Sequence, residues 1–187
     1  MSGTFVAVVG PSGVGKDSLI GFAKQHFAAS DRVVFVRRVV TRLADGGSED
    51  HDSMDVAAFA AAETAGAFAL SWDAHGLRYG LPVGLESDLA AGKVVVANLS
   101  RGVIPALVER YPDAVVVSVT AEREVIAARL ASRGRETPET IARRLERSVA
   151  DRLPPSTIVI DNSGALAVGA LQFVQLLEDA TRLVERA

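Results

Sequence analysis

The chain contains no cysteine, which excludes disulfides, thiolate nucleophiles and cysteine-ligated metal centres. It is also poor in lysine: Lys16, Lys24 and Lys93 are the only ones, so nearly all of its positive charge is arginine. Guanidinium forks grip phosphate oxygens bidentately, and this bias suits phosphate recognition. The formal net charge of -3 supplies no general positive field, which argues against a nucleic-acid partner. Aromatic residues are few, with a single tryptophan, Trp72. No apolar run approaches the roughly 18 residues of a membrane span. The opening MSGTFVAVVG has no basic segment before its short apolar run and no small-residue cleavage pattern. It is expected to be a strand rather than a leader, with the protein in the cytoplasm and no membrane partner.

With 49% hydrophobic and 23% charged residues in 187, the composition is that of an ordinary globular chain, expected to form one domain over 1–187. Apolar runs at 4–9, 93–98, 114–119 and 157–161 read as buried strands, and residues 32–41 as one β-branched strand. Helical spacing fills 16–28, 55–66 (with Asp55 as the cap), 123–133, 138–151 and 165–186. Continuous apolar strands separated by helices predict an α/β fold, its mainly parallel sheet flanked by helices on both faces.

Between the first strand and the first helix stands GPSGVGKDS, Gly10 to Ser18. Gly10, Pro11, Ser12, Gly13, Val14, Gly15 and Lys16 fit a phosphate-binding loop for ATP, with the lysine reaching the β- and γ-phosphates. A hydroxyl residue usually follows the lysine and ligates Mg²⁺, while a carboxylate ends a neighbouring strand. Here Asp17 follows the lysine, and the corresponding strand ends in Asn98, Leu99 and Ser100. The magnesium-associated charge is therefore expected on Asp17, with Ser18 as the adjacent hydroxyl. The alternative is that Asp17 is an acid favoured by the helix dipole.

The segment 129–148 carries Arg129, Arg133, Arg135, Arg143, Arg144 and Arg147 around a Gly134 break. It reads as an arginine-rich helical lid that stabilises the migrating phosphoryl group and excludes water. Local pairing with Glu136, Glu139 and Glu146 is the competing reading.

The motifs GPSGVGK, Thr41-Arg42, His75–Gly80 (HGLRYG) and RGRE followed by RRL resemble, in order, the guanylate kinase branch of the P-loop nucleoside-monophosphate kinases. That resemblance implies a three-layer fold, Arg42 and Tyr79 on an acceptor phosphate, Arg133 and Arg144 on the donor phosphates, and the Asp161-Asn162 turn near adenine, with Asp161 as the candidate binding residue. The chain departs from guanylate kinases where their second phosphate-binding arginine would be Asp45, and where Leu81 follows Tyr79-Gly80 in place of a base-reading hydroxyl. GPSGVGKDS, GSEDH (47–51), LSWDAHGLRYG (70–80), NLSR (98–101) and RGRE (133–136) resemble the ribose 1,5-bisphosphate phosphokinase family of phosphonate catabolism. That family moves the ATP γ-phosphoryl group to the 1-phosphate of ribose 1,5-bisphosphate.

On this reading residues 36–92 bind the acceptor, a phosphorylated ribose. Arg38, Arg42 and Tyr79 are candidates for one phosphate, Arg78 and Arg101 for the other, and Glu49, Asp50, His51, His75 and Asn98 for ribose hydroxyls. Lys16, Arg133, Arg135 and Arg144 are the candidate catalytic charges. Two of the acceptor candidates have a structural counterpart, His51 as a loop cap and His75 as support for a glycine turn, and Trp72 is expected to be a wall or core residue rather than a stacking platform. A nucleoside-monophosphate kinase and a non-catalytic guanylate-kinase-like binding module remain the alternatives.

Overall fold

The computed structural model describes residues 3–42, 51–132 and 153–186. Its strands in chain order are β1 (Thr4–Val9), β2 (Val33–Phe35), β3 (Arg38–Val40), β4 (His51–Ser53), β5 (Phe68–Ala74), β6 (Leu77–Pro82), β7 (Val94–Asn98), β8 (Val115–Thr120) and β9 (Ile158–Asp161). Its helices are α1 (Lys16–His26), α2 (Val56–Thr64), α3 (Leu85–Ala90), α4 (Ile104–Arg110), α5 (Arg123–Ser132) and α6 (Leu166–Arg186).

Five strands form a parallel sheet in the order β2-β7-β1-β8-β9. Side chains alternate across a strand, so an unbroken apolar strand needs cover on both faces. Val6 and Val8 of β1 enter one core with Val94, Val96, Val117 and Val119. Phe5, Ala7 and Val9 enter a second core with Val95, Ala97 and Val116.

The first core is closed by α1 through Leu19 and Ala23, and by α6 through Ala170, Phe173, Val174, Leu177 and Val184. The α6 positions recur at three- and four-residue spacing, which lays one helical stripe on the sheet. Full burial of Phe173 or Leu177 contributes roughly 1.5–3 kcal/mol each. The second core is closed by Leu85 of α3, Ile104 and Leu107 of α4, and Leu70 and Leu81 of a second sheet.

That second sheet, ordered β4-β3-β6-β5, is not foreseen in the sequence. Its β5–β6 hairpin turns on His75 and Gly76, at φ 56° and 75°, a two-residue connection whose backbone twist matches its flanking strands. The expected single strand over 32–41 is instead two. β2 pairs with β7 in the large sheet, whereas β3 pairs with β4 and β6 in the small one. The break falls at Val36-Arg37, where Arg37 leaves the ladder to bind Asp52 at 2.9 Å and the His51 carbonyl at 3.2 Å. Both halves have the same β-branched character, so only long-range pairing separates them.

The Asp55 cap forms as expected, its carboxylate accepting from the Ala58 amide at 2.8 Å. Among the described residues no helix is long and apolar enough to cross a membrane.

Candidate active site

The loop after β1 reverses direction with Gly10, Gly13 and Gly15 at φ 149°, 85° and 100°. Gly15 is required twice over: its φ is left-handed, and a Cβ there would lie 2.4 Å from Asn162 Nδ2. Asn162 is buried behind the loop and donates to the Val14 carbonyl at 2.7 Å. Arg129 of α5 reaches the same carbonyl at 3.3 Å. The Lys16 ammonium donates to the carbonyls of Gly10 at 2.8 Å and Pro11 at 3.1 Å, holding its charge over the loop. Because α1 begins at Lys16 with no side-chain cap, its first amides open toward an anion in the loop.

Beside the loop lies a cavity of about 250 Å³ lined by Gly13, Gly15, Ser18, Arg129, Ser132 and Asn162. These polar groups and the α1 N-terminus suit a nucleotide. A larger hollow of about 540 Å³ opens near Gly3 and Phe5, at the other end of β1. Its Glu86, Arg110 and Tyr111 are bonded to one another. Arg110 first, and then Tyr111, hold the Glu86 carboxyl below its ordinary range. That hollow is remote from the phosphate loop.

Asp17 is the second residue of α1, and its Oδ1 accepts from Asn98 Nδ2 at 2.9 Å. Asn98 is the last residue of β7. The strand that lacks a carboxylate thus orients the carboxylate of the loop.

The small sheet supplies the other wall. Trp72 pairs with Tyr79, Tyr79 with Val40, and Arg38 with His51, so pleat alternation sets Trp72, Tyr79, Arg38 and His51 on one face. The Trp72 and Tyr79 rings stack at 5.4 Å and 10°, and the Arg38 guanidinium lies 5.5 Å from the Tyr79 centroid. Arg38, 5% exposed, is deeply buried for a cation. The indole N–H of Trp72 donates to Ser100 Oγ at 3.0 Å, just beyond β7, which turns this face toward the large sheet.

Arg78 lies on the opposite face. Its guanidinium binds Glu63 of α2 at 2.6 Å and covers the Phe59 ring at 4.9 Å. Ser71, followed by Arg78, hydrogen-bonds the Glu63 carboxyl and lowers its pKa.

No family model matches the chain. It is similar to ribose 1,5-bisphosphate phosphokinase PhnN of Chelativorans sp. (strain BNC1), 49% identical over 180 residues, covering 95% of this chain and 86% of that one. It is likewise similar to ribose 1,5-bisphosphate phosphokinase PhnN of Brucella melitensis biotype 2, 48% identical over 178 residues and covering 95% and 93%. The chain belongs to the ribose 1,5-bisphosphate phosphokinase PhnN family. The fold of this PhnN-family chain is that of guanylate kinase from Anaplasma phagocytophilum: TM-score 0.66 at 18% identity, covering 96% of this chain and 87% of that one.

In this PhnN-family chain the structure gathers Gly10 through Ser18, Arg129 and Asn98 around the loop, and Arg38, His51 and Tyr79 on one face of the small sheet. Arg42 follows Thr41, which is fixed to the Arg78 backbone by bonds of 3.0 and 2.9 Å. Arg101 opens the short turn after β7. His75 stands at the exposed hairpin tip, and Arg78 is turned to α2, so neither side chain joins the Arg38–Tyr79 face. Asp161 accepts from the Ser163 hydroxyl at 2.5 Å and the Ser163 amide at 3.0 Å, which lower its pKa in that order. It shapes the turn, and its neighbour Asn162 reaches the loop. Glu49, Asp50, Arg133, Arg135 and Arg144, with most of the 129–148 lid, lie outside the described residues.

The sequence pointed to the Asp161-Asn162 turn and chose Asp161 as its binding residue, whereas it is Asn162 that reaches the loop. Sequence reasoning also missed the Ser100 contact to Trp72 and the Glu63 partner of Arg78. The NLSR and Asp-Asn motifs marked two of these places, but only the folded contacts assign the roles.

Proposed function

We propose that the chain transfers the γ-phosphoryl group of ATP to the 1-phosphate of ribose 1,5-bisphosphate, giving 5-phosphoribosyl 1-diphosphate and ADP. The observation that carries this reading is family membership joined to one feature of the acceptor wall. After Tyr79-Gly80, where guanylate kinases are expected to read a base with a hydroxyl, Leu81 is fully buried in the core. A site without base-reading donors and acceptors discriminates poorly for guanine. The Arg38, His51 and Tyr79 face suits an acceptor made of phosphates and sugar hydroxyls.

The reaction is a direct in-line displacement. A 1-phosphate oxygen of the acceptor forms the new bond to the γ-phosphorus, while the bond from that phosphorus to the β,γ-bridging oxygen breaks and ADP leaves. The attacking oxygen is already ionised near neutral pH, so no general base is needed. Catalysis then consists of positioning and charge stabilisation. Lys16 meets the β- and γ-phosphates, and the loop amides with Arg129 hold the donor. Arg38, Arg42, His51, Tyr79 and Arg101 are the proposed acceptor residues, while Asn98, first expected on a ribose hydroxyl, is assigned to the Asp17 carboxylate that it binds. Arg133, Arg135 and Arg144 are proposed lid charges on sequence grounds.

Mg²⁺ fits the donor set. Among the described residues no group of three or more His, Cys, Asp or Glu forms a protein cage for a metal. A magnesium ion that arrives on nucleotide phosphates needs only one or two protein oxygens. Asp17 would hold it, directly or through water, with Ser18 beside it. When bound, it neutralises charge that develops on the phosphate oxygens. We further infer a cytoplasmic enzyme of phosphonate catabolism, with a small phosphorylated sugar as its partner and no nucleic acid.

The test is ADP formation from Mg-ATP with ribose 1,5-bisphosphate or GMP as acceptor, with the product identified by mass. Turnover on the sugar bisphosphate to 5-phosphoribosyl 1-diphosphate is expected. Turnover on GMP alone would make the chain a nucleotide kinase, and no turnover on either would favour a binding module.

A further inference from the structure

The two halves of the site belong to different sheets, and the short segment Asn98–Ser100 touches both. Asn98 bonds Asp17 of the donor loop at 2.9 Å. Ser100 accepts from the Trp72 indole at 3.0 Å. Leu99 between them is buried, and its amide donates to the Val8 carbonyl at 2.9 Å, which pins the segment to β1. From Trp72 a row of contacts runs across three strands of the small sheet: the near-parallel Tyr79 ring at 5.4 Å, then the Arg38 guanidinium 5.5 Å from that ring.

We propose that Trp72 is a positioning residue for the acceptor, its indole N–H on Ser100 holding the Tyr79–Arg38 face in register with the Asp17 loop. This inference rests on the proposed function, because it assigns Tyr79 and Arg38 to the acceptor. The chemistry of the contact carries it. A Trp72 that merely filled space would be served as well by phenylalanine, and the Ser100 hydroxyl would be incidental. Instead the one polar atom of the indole meets that hydroxyl, while the ring plane fixes the plane of Tyr79. Phosphoryl transfer depends strongly on the separation of donor and acceptor, and a shift of about 1 Å costs on the order of a hundredfold in rate.

The experiment compares Trp72→Phe, Ser100→Ala, Ser100→Thr and the Trp72→Phe/Ser100→Ala double variant with the wild type, each first checked for its melting temperature. Trp72→Phe and Ser100→Ala are each expected to raise the acceptor KM about five- to tenfold, the worth of one half-buried hydrogen bond. The KM for ATP is expected to stay within about twofold, since the loop contacts are untouched. The double variant is expected to be no worse than either single one, and Ser100→Thr to behave as wild type. Trp72 is the only tryptophan, so its emission gives a direct readout: it is expected to change on adding ribose 1,5-bisphosphate without ATP. Unchanged acceptor KM in both single variants, additive losses in the double variant, or emission indifferent to the acceptor would each overturn the proposal. A wild type that acts on GMP and not on the sugar bisphosphate refutes the function instead. The same variants and emission would then be read against GMP.

Discussion

Asn98 Nδ2 and Asp17 Oδ1 lie 2.9 Å apart, joining the end of β7 to the first turn of α1 across 81 residues of sequence. An amide at the end of β7 leaves the negative charge on the loop and aims it. Among the described residues, no other hydrogen bond is made to that carboxylate.

Asp17→Asn is therefore expected to raise the Mg²⁺ concentration for half-maximal activity by about tenfold or more. Asn98→Ala is expected to move it the same way by a smaller factor, since that variant keeps the carboxylate and loses only the hydrogen bond that aims it. Magnesium titrations at saturating ATP check both. An Asp17→Asn enzyme with the wild-type magnesium profile would reduce Asp17 to an acid at a helix N-terminus.

Asn162 joins the loop to α6. Its Nδ2 holds the Val14 carbonyl, and a Cβ at Gly169 would lie 3.1 Å from its Oδ1. Glycine to alanine inside a helix ordinarily stabilises by about 0.5–1 kcal/mol. Gly169→Ala is expected to forfeit that gain and raise the KM for ATP, because the added methyl displaces Asn162. Asn162→Ala is expected to cost about 1–3 kcal/mol, read as a drop in melting temperature of about 2–4 °C per kcal/mol. A Gly169→Ala protein that melts higher with an unchanged KM for ATP would count against this link.

Glu63 and Arg78 tie α2 to the hairpin on the face away from Tyr79. The Glu63 pKa is lowered by Ser71 and then Arg78, so its contribution is present above the ordinary glutamate value of about 4.3 and fades as pH falls through the lowered one. The melting temperature of Glu63→Gln is expected to fall below that of wild type at pH 7, the difference closing as the pH drops below 4.3. Arg78→Gln is expected to leave the acceptor KM within about twofold, whereas Arg38→Ala raises it. A large acceptor effect at Arg78 would reverse the assignment of the two faces.

By itself the sequence determined the phosphate loop, the parallel sheet and the kinase family. Those signals are local: glycines where φ must be positive, a lysine at fixed spacing, and apolar runs with no polar face. They read the same before and after folding, and β1 falls on the expected residues. The acceptor side depended on the tertiary structure. The run 32–41 divides between two sheets because its halves find different partners. In the hairpin, neighbouring residues face opposite ways, so whether Arg78 or Tyr79 lines the site is a question of register, and a one-residue slip would exchange them. The Asn98–Asp17 and Ser100–Trp72 bonds likewise join residues 81 and 28 positions apart. No local pattern encodes such pairs, because they exist only once β7 lies beside β1 and the small sheet closes over its end.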